Sequence, residues 1–103
     1  RAYERFLRYA AVSTASDETS GTHPSSARQL DLANLLAGEM RQMGLSGVNV
    51  DEHGYVMGYI PAAEGYENRP ALGFIAHMDT APDFNGCGVK PMIIENYDGK
   101  SKI

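Results

Sequence analysis

Two side chains in the 103-residue sequence have the types and the spacing to do metal chemistry. They are His77 and Asp79, in the stretch Gly73-Phe74-Ile75-Ala76-His77-Met78-Asp79-Thr80. A neutral imidazole is a common zinc ligand. A carboxylate close to it can orient the ring from outside the coordination sphere. In extended backbone, residues two apart point to the same side, ~6.6 Å apart along the strand. His77 and Asp79 are then expected to face one pocket, with Met78 packed the other way. Taken alone, H-x-D is a short pattern of common residue types, and a hydrogen-bonded histidine closing a strand fits it as well.

Other candidates carry less. His23 lies in a polar loop and His53 in a turn, and neither stands at ligand spacing from His77. Cys87, between Gly86 and Gly88, has no partnered base in the sequence, so a small residue in a turn accounts for it. Asn85-Gly86-Cys87-Gly88 is too short for a phosphate loop and does not link a strand to a helix. Asp17-Glu18 reads as a solvated loop tip, and Asp83 and Asp98 sit where turns favour aspartate.

The elements that must position His77 follow from periodicity. Tyr3, Phe6, Leu7 and Ala10 fall on one helical stripe, predicting a helix over 2–12. Residues 13–25 are a long polar loop, a length often associated with function. A second helix is predicted from Ala27 to Met43, with Ser26 as N-cap, Gln29 as its capping-box partner and Gly44 ending it in the left-handed region. The period then changes to two. Val48 and Val50, the His53-Gly54 turn and Tyr55–Ile60 predict a hairpin. Residues 61–70 form a Pro/Gly loop. The apolar run Ala71–Ala76 predicts a central strand covered on both faces, as in a mostly parallel sheet. Ligands bind at the carboxyl ends of such strands, which is where His77 and Asp79 fall. Met92-Ile93-Ile94 predicts another short strand and Tyr97–Lys100 a turn. Helices packed on strands make the expected class α/β.

Composition limits the rest. A hydrophobic fraction of 43% and a charged fraction of 21% match a globular chain and exclude disorder. A net charge of -4 without any basic run excludes a nucleic-acid or anionic-membrane footprint. No apolar run reaches the ~18–20 residues of a bilayer span, and no secretory signal pattern opens the sequence. The single cysteine excludes an internal disulfide and any multi-cysteine zinc site, and is compatible with a reducing cytoplasm. A start at Arg1 and an apolar Ile103 at the other end, which reads as the opening of another element, lead us to expect a piece of a larger protein.

The stretch Gly73–Gly86, GFIAHMDTAPDFNG, closely resembles the zinc-ligand segment of the peptidase T (tripeptide aminopeptidase) family of dizinc metallopeptidases. The resemblance extends to Glu4–Tyr9, Ser20–Ser25, Asp51–Val56 and Lys90–Gly99, in order along the chain. It implies that His77 binds one of two zinc ions and that Asp79 is the catalytic aspartate beside it. It implies that residues 1–103 are the N-terminal part of a zinc-peptidase catalytic domain, without the remainder of that domain or its lid domain. In the family a carboxylate bridging both metals, a Glu-Glu pair including the general base, and further Asp and His ligands come from later in the chain. At most one zinc ligand is then present here. The implied activity is metal-dependent release of the N-terminal residue from tripeptides, in the cytoplasm, with short peptides as partners and neither nucleic acid nor membrane. A related dizinc amidohydrolase or dipeptidase, and a non-catalytic α/β interaction module with a structural His77, are the alternatives. The sequence carries no signal of oligomeric state.

Overall fold

The apolar side chains of one helix and a short hairpin make what core there is. A computed structural model describes residues 1–102, so Ile103 and the element it was expected to open lie outside the described residues. The order of elements is α1 (Ala2–Ala10), α2 (Gln29–Gln42), β1 (Ser46–Val50) and β2 (Val56–Tyr59). The expected pair of helices followed by a hairpin is present, as a small α/β arrangement.

Helix α2 lies against both strands. Leu32, Ala33 and Ala37, spaced along one helical face, are its buried apolar residues. Gly44, at φ 82°, ends the helix as expected. Leu45 N–H donates to the Met40 carbonyl (3.1 Å) and Gly44 N–H to the Arg41 carbonyl (3.0 Å), the paired bonds of a Schellman motif. The start differs from expectation. The helix begins at Gln29 rather than Ala27, its N-cap is Arg28, and Ser26 makes no side-chain cap. Gln29 is buried instead, and its amide donates to the Thr14 carbonyl (3.3 Å) and to Ser25 Oγ (3.2 Å). A side chain turned inward cannot reach back to close a capping box.

The hairpin is antiparallel, with Asn49 opposite Met57 and Val50 opposite Val56. Its turn is held by Asp51, whose Oδ1 accepts from the N–H groups of His53 (3.0 Å) and Tyr55 (2.8 Å). A register irregularity between Ser46 and Asn49 places Gly47 at φ 60°.

Helix α1 ends at Ala10, two residues short of expectation, and none of its residues is buried. Its Tyr3–Phe6 stripe faces outward. It reaches α2 through polar groups that converge on Glu39. Tyr9 and Arg8 hydrogen-bond the carboxylate, and Arg5 Nε lies 3.6 Å from it.

Two expected strands do not form. Ala71–Ala76, expected as a central strand covered on both faces, makes no strand pairing, and Phe74 and Ile75 are 91% and 101% exposed. Met92-Ile93-Ile94 is likewise unpaired. The physical reason is the same for both. An apolar run becomes a central strand only with a neighbouring strand to satisfy its backbone on each side. The sheet here has two strands, already paired with each other. The radius of gyration, 17.2 Å, exceeds the ~13 Å of a compact domain this size, as expected of an extended second half.

Candidate metal centre

Parallel pairing occurs at one place that bears on the site. Ala15, in the polar loop, forms a parallel bridge with Thr80. Ser16 N–H donates to the Thr80 carbonyl (3.0 Å), and Thr80 N–H donates to the Thr14 carbonyl (3.2 Å). Thr14 is only 4% exposed, and its carbonyl also receives the Gln29 amide from the start of α2. The helix therefore fixes the loop, and the loop fixes the segment that carries His77 and Asp79.

Those two side chains meet within their own short segment, without the strand that was expected to carry them. His77 Nδ1 lies 2.9 Å from the backbone oxygen of Asp79 and 3.1 Å from its Oδ1. A carbonyl and an ionised carboxylate can only accept. Nδ1 therefore carries a proton and donates it to both, and in the neutral ring Nε2 keeps the lone pair a metal needs. The carboxylate is held ionised. A hydrogen bond from Ser16 first, and the one from His77 second, keep Asp79 below its ordinary value. The Ser16 hydroxyl donates to Asp79 Oδ2 at 2.7 Å. The expected burial is absent, because the strand that would carry these residues does not form. The His77 side chain is 84% exposed and that of Asp79 49%. Met78, between them, is the half-buried residue of the segment.

The donor chemistry fits one corner of a zinc site. A catalytic zinc takes about three protein ligands and keeps one open position. Among the described residues no three His, Cys, Asp or Glu side chains gather to hold an ion. His53 pairs weakly with Glu52 (3.7 Å) and meets the Tyr55 ring edge-on. His23 is exposed in its loop.

Two partnerships were not legible in the sequence. Ser16 stands 63 residues from Asp79, and no periodicity links them. Cys87 also has partners. The Arg28 guanidinium lies 2.8 Å from its sulfur, and Ser13 Oγ lies 3.2 Å away. The Ser13 hydrogen bond first, then the Arg28 charge, hold the thiol below its ordinary value.

No helix among the described residues is long and apolar enough to cross a membrane. No family model matches the chain. Curated relatives do. The chain is 53% identical over 100 residues to a protein named peptidase T from Clostridium acetobutylicum, covering 97% of this chain and 24% of that protein. It is 54% identical over 97 residues to peptidase T of Desulfitobacterium hafniense, covering 94% and 23%. It is 48% identical over 100 residues to peptidase T of Halothermothrix orenii, covering 97% and 24%. The chain spans about a quarter of the length of the curated relatives it matches.

Proposed function

We propose, from a chain that is peptidase T-family sequence over 97% of its length, that the protein carrying it is a metal-dependent aminopeptidase releasing the N-terminal residue from tripeptides. The relatives' shared name supports peptide hydrolysis. The observation that carries the site reading is His77 Nδ1 within hydrogen-bond distance of two acceptors of Asp79, at 2.9 and 3.1 Å. His77 would hold one of two zinc ions through Nε2. Asp79 would act as the catalytic carboxylate behind it.

When bound, the zinc ions supply Lewis-acid polarisation of the scissile carbonyl and a water of lowered pKa. The chain's own residues prepare the ligand. The Asp79 carbonyl and carboxylate fix the imidazole tautomer and the plane of the ring. A carboxylate in this place is the outer partner that would orient the imidazole toward an ion held at Nε2. Short peptides would be the substrates and the cytoplasm the compartment. The net charge of -4 over these residues, without a basic run, offers no basic footprint for nucleic acid or an anionic membrane in this stretch.

The test is a substrate panel on the full-length protein with metal analysis. Tripeptides should be cut after the first residue, with loss of activity on chelation and recovery with zinc. Preference for dipeptides or N-acyl amino acids would move the assignment to a related amidohydrolase. A metal-free protein inactive on every substrate, with or without added zinc, would leave His77 structural.

A further inference from the structure

The geometry points to Ser16 as the positioning residue for Asp79, a role that rests on reading Asp79 as the catalytic carboxylate. The Asp79 carboxylate is gripped at both oxygens. Oδ1 accepts from His77 Nδ1 (3.1 Å) and Oδ2 accepts from Ser16 Oγ (2.7 Å). The second distance is that of a charge-assisted O–H···O bond. The terminal torsion of an aspartate is broad and roughly two-fold. A carboxylate that is 49% exposed and tied at one oxygen alone would sample that range. With Ser16 in place, its plane is set relative to the His77 ring.

A purely structural role for the hydroxyl does not account for this placement. The loop is already attached to the site segment by backbone alone, through Ser16 N–H to the Thr80 carbonyl and Thr80 N–H to the Thr14 carbonyl. Those two bonds survive removal of the side chain. The hydroxyl is not needed for the attachment, and in the structure it is directed at Asp79. Ser16 is therefore delivered by the backbone pairing, across 63 residues of sequence, to the far oxygen of the carboxylate.

The experiment uses the full-length protein with Ser16→Ala, Ser16→Thr, Asp79→Ala and the double Ser16→Ala/Asp79→Ala variant. Groups that orient a metal ligand are worth ~10–100-fold. Ser16→Ala should lower kcat on a tripeptide ~10-fold, with KM within about twofold. Zinc content and Tm should stay at wild-type values, and the visible bands of the cobalt(II)-substituted protein should shift. Ser16→Thr, which keeps the hydroxyl, should restore most of kcat and the original bands. In the Asp79→Ala background, Ser16→Ala should cost nothing further. An unchanged kcat in Ser16→Ala overturns the inference. So does an unaltered cobalt spectrum beside a lowered kcat, a loss that follows Tm and is not rescued by threonine, or a full additional loss in the double variant. Wild-type kcat in Asp79→Ala would instead sink the reading of the site itself. Collapse in Asp79→Ala with a silent Ser16→Ala sinks the Ser16 role alone.

Discussion

Replacing Asp79 by asparagine separates two ways in which a carboxylate can serve a metal centre. If Asp79 were itself a ligand, the substitution would remove a donor. On the proposed reading it stands behind His77, where its backbone oxygen and its Oδ1 accept from Nδ1 at 2.9 and 3.1 Å. Asp79→Asn would keep the backbone acceptor unchanged and lose only the charged one. The tautomer with its lone pair on Nε2 survives on the carbonyl alone. Zinc affinity in Asp79→Asn should then fall toward the low end of the ~10–100-fold range for groups that orient a ligand, ~10-fold or about 1.4 kcal/mol. Turnover should fall further, ~100-fold, because the charge behind the imidazole is gone. His77→Ala removes the ligand atom and should empty its site at zinc concentrations that fill the wild type. The assay is bound metal after equilibration in zinc buffers, with kcat on a tripeptide, for the full-length wild type and both variants. Equal zinc loss in Asp79→Asn and His77→Ala would refute the orienting role and make the carboxylate a ligand. Full zinc and full kcat in both would refute the site.

Residues 1–103 expressed alone should bind zinc weakly in a calorimetric titration and release no amino acid from tripeptides, since about three ligands are normally needed and His77 is the one the reading assigns. Measurable hydrolysis by the pure stretch, abolished by His77→Ala, would contradict this. Gly47→Ala should destabilise the hairpin by about 1–3 kcal/mol, the range for a non-glycine residue held at positive φ. The residue sits at φ 60° with a new Cβ 2.5 Å from Tyr59 Cε1, and an unchanged denaturation midpoint would show the register irregularity to be dispensable. The attachment of α1 should depend on pH. The Tyr9 hydrogen bond first, and then the Arg8 and Arg5 charges, hold the Glu39 carboxyl below its ordinary value. A lowered folded-state pKa means that the contribution is fully present above the ordinary glutamate value and is lost as pH falls through the depressed one. The protection of the Ala2–Ala10 amides, taken relative to intrinsic exchange at each pH, should fall across that acid window in the wild type and be pH-flat there in Glu39→Gln.

What could be read from the sequence divides by the range of the interactions involved. Helix α2 and its stop at Gly44 depend on residues within one or two turns, so the stretch predicted from Ala27 to Met43 with Gly44 after it was legible apart from its first two residues. The Asp51 turn is equally local. The run Ala71–Ala76 is a different kind of signal. Its composition states that burial would be favourable but does not name the strands that would pair with it, and among the described residues it has none. The same division runs through the site. His77 and Asp79 are two residues apart, so the hydrogen bonds that select the imidazole tautomer are made within one short segment and need no sheet beneath them. That is why the pair meets here even though the strand expected to carry it does not form. Setting the plane of the carboxylate needs a group from elsewhere, and Ser16 arrives through backbone pairing that leaves no trace in composition or periodicity. On the proposed reading, the ligand is prepared locally, while the orientation that its catalytic use would need is supplied by contacts far apart in the chain.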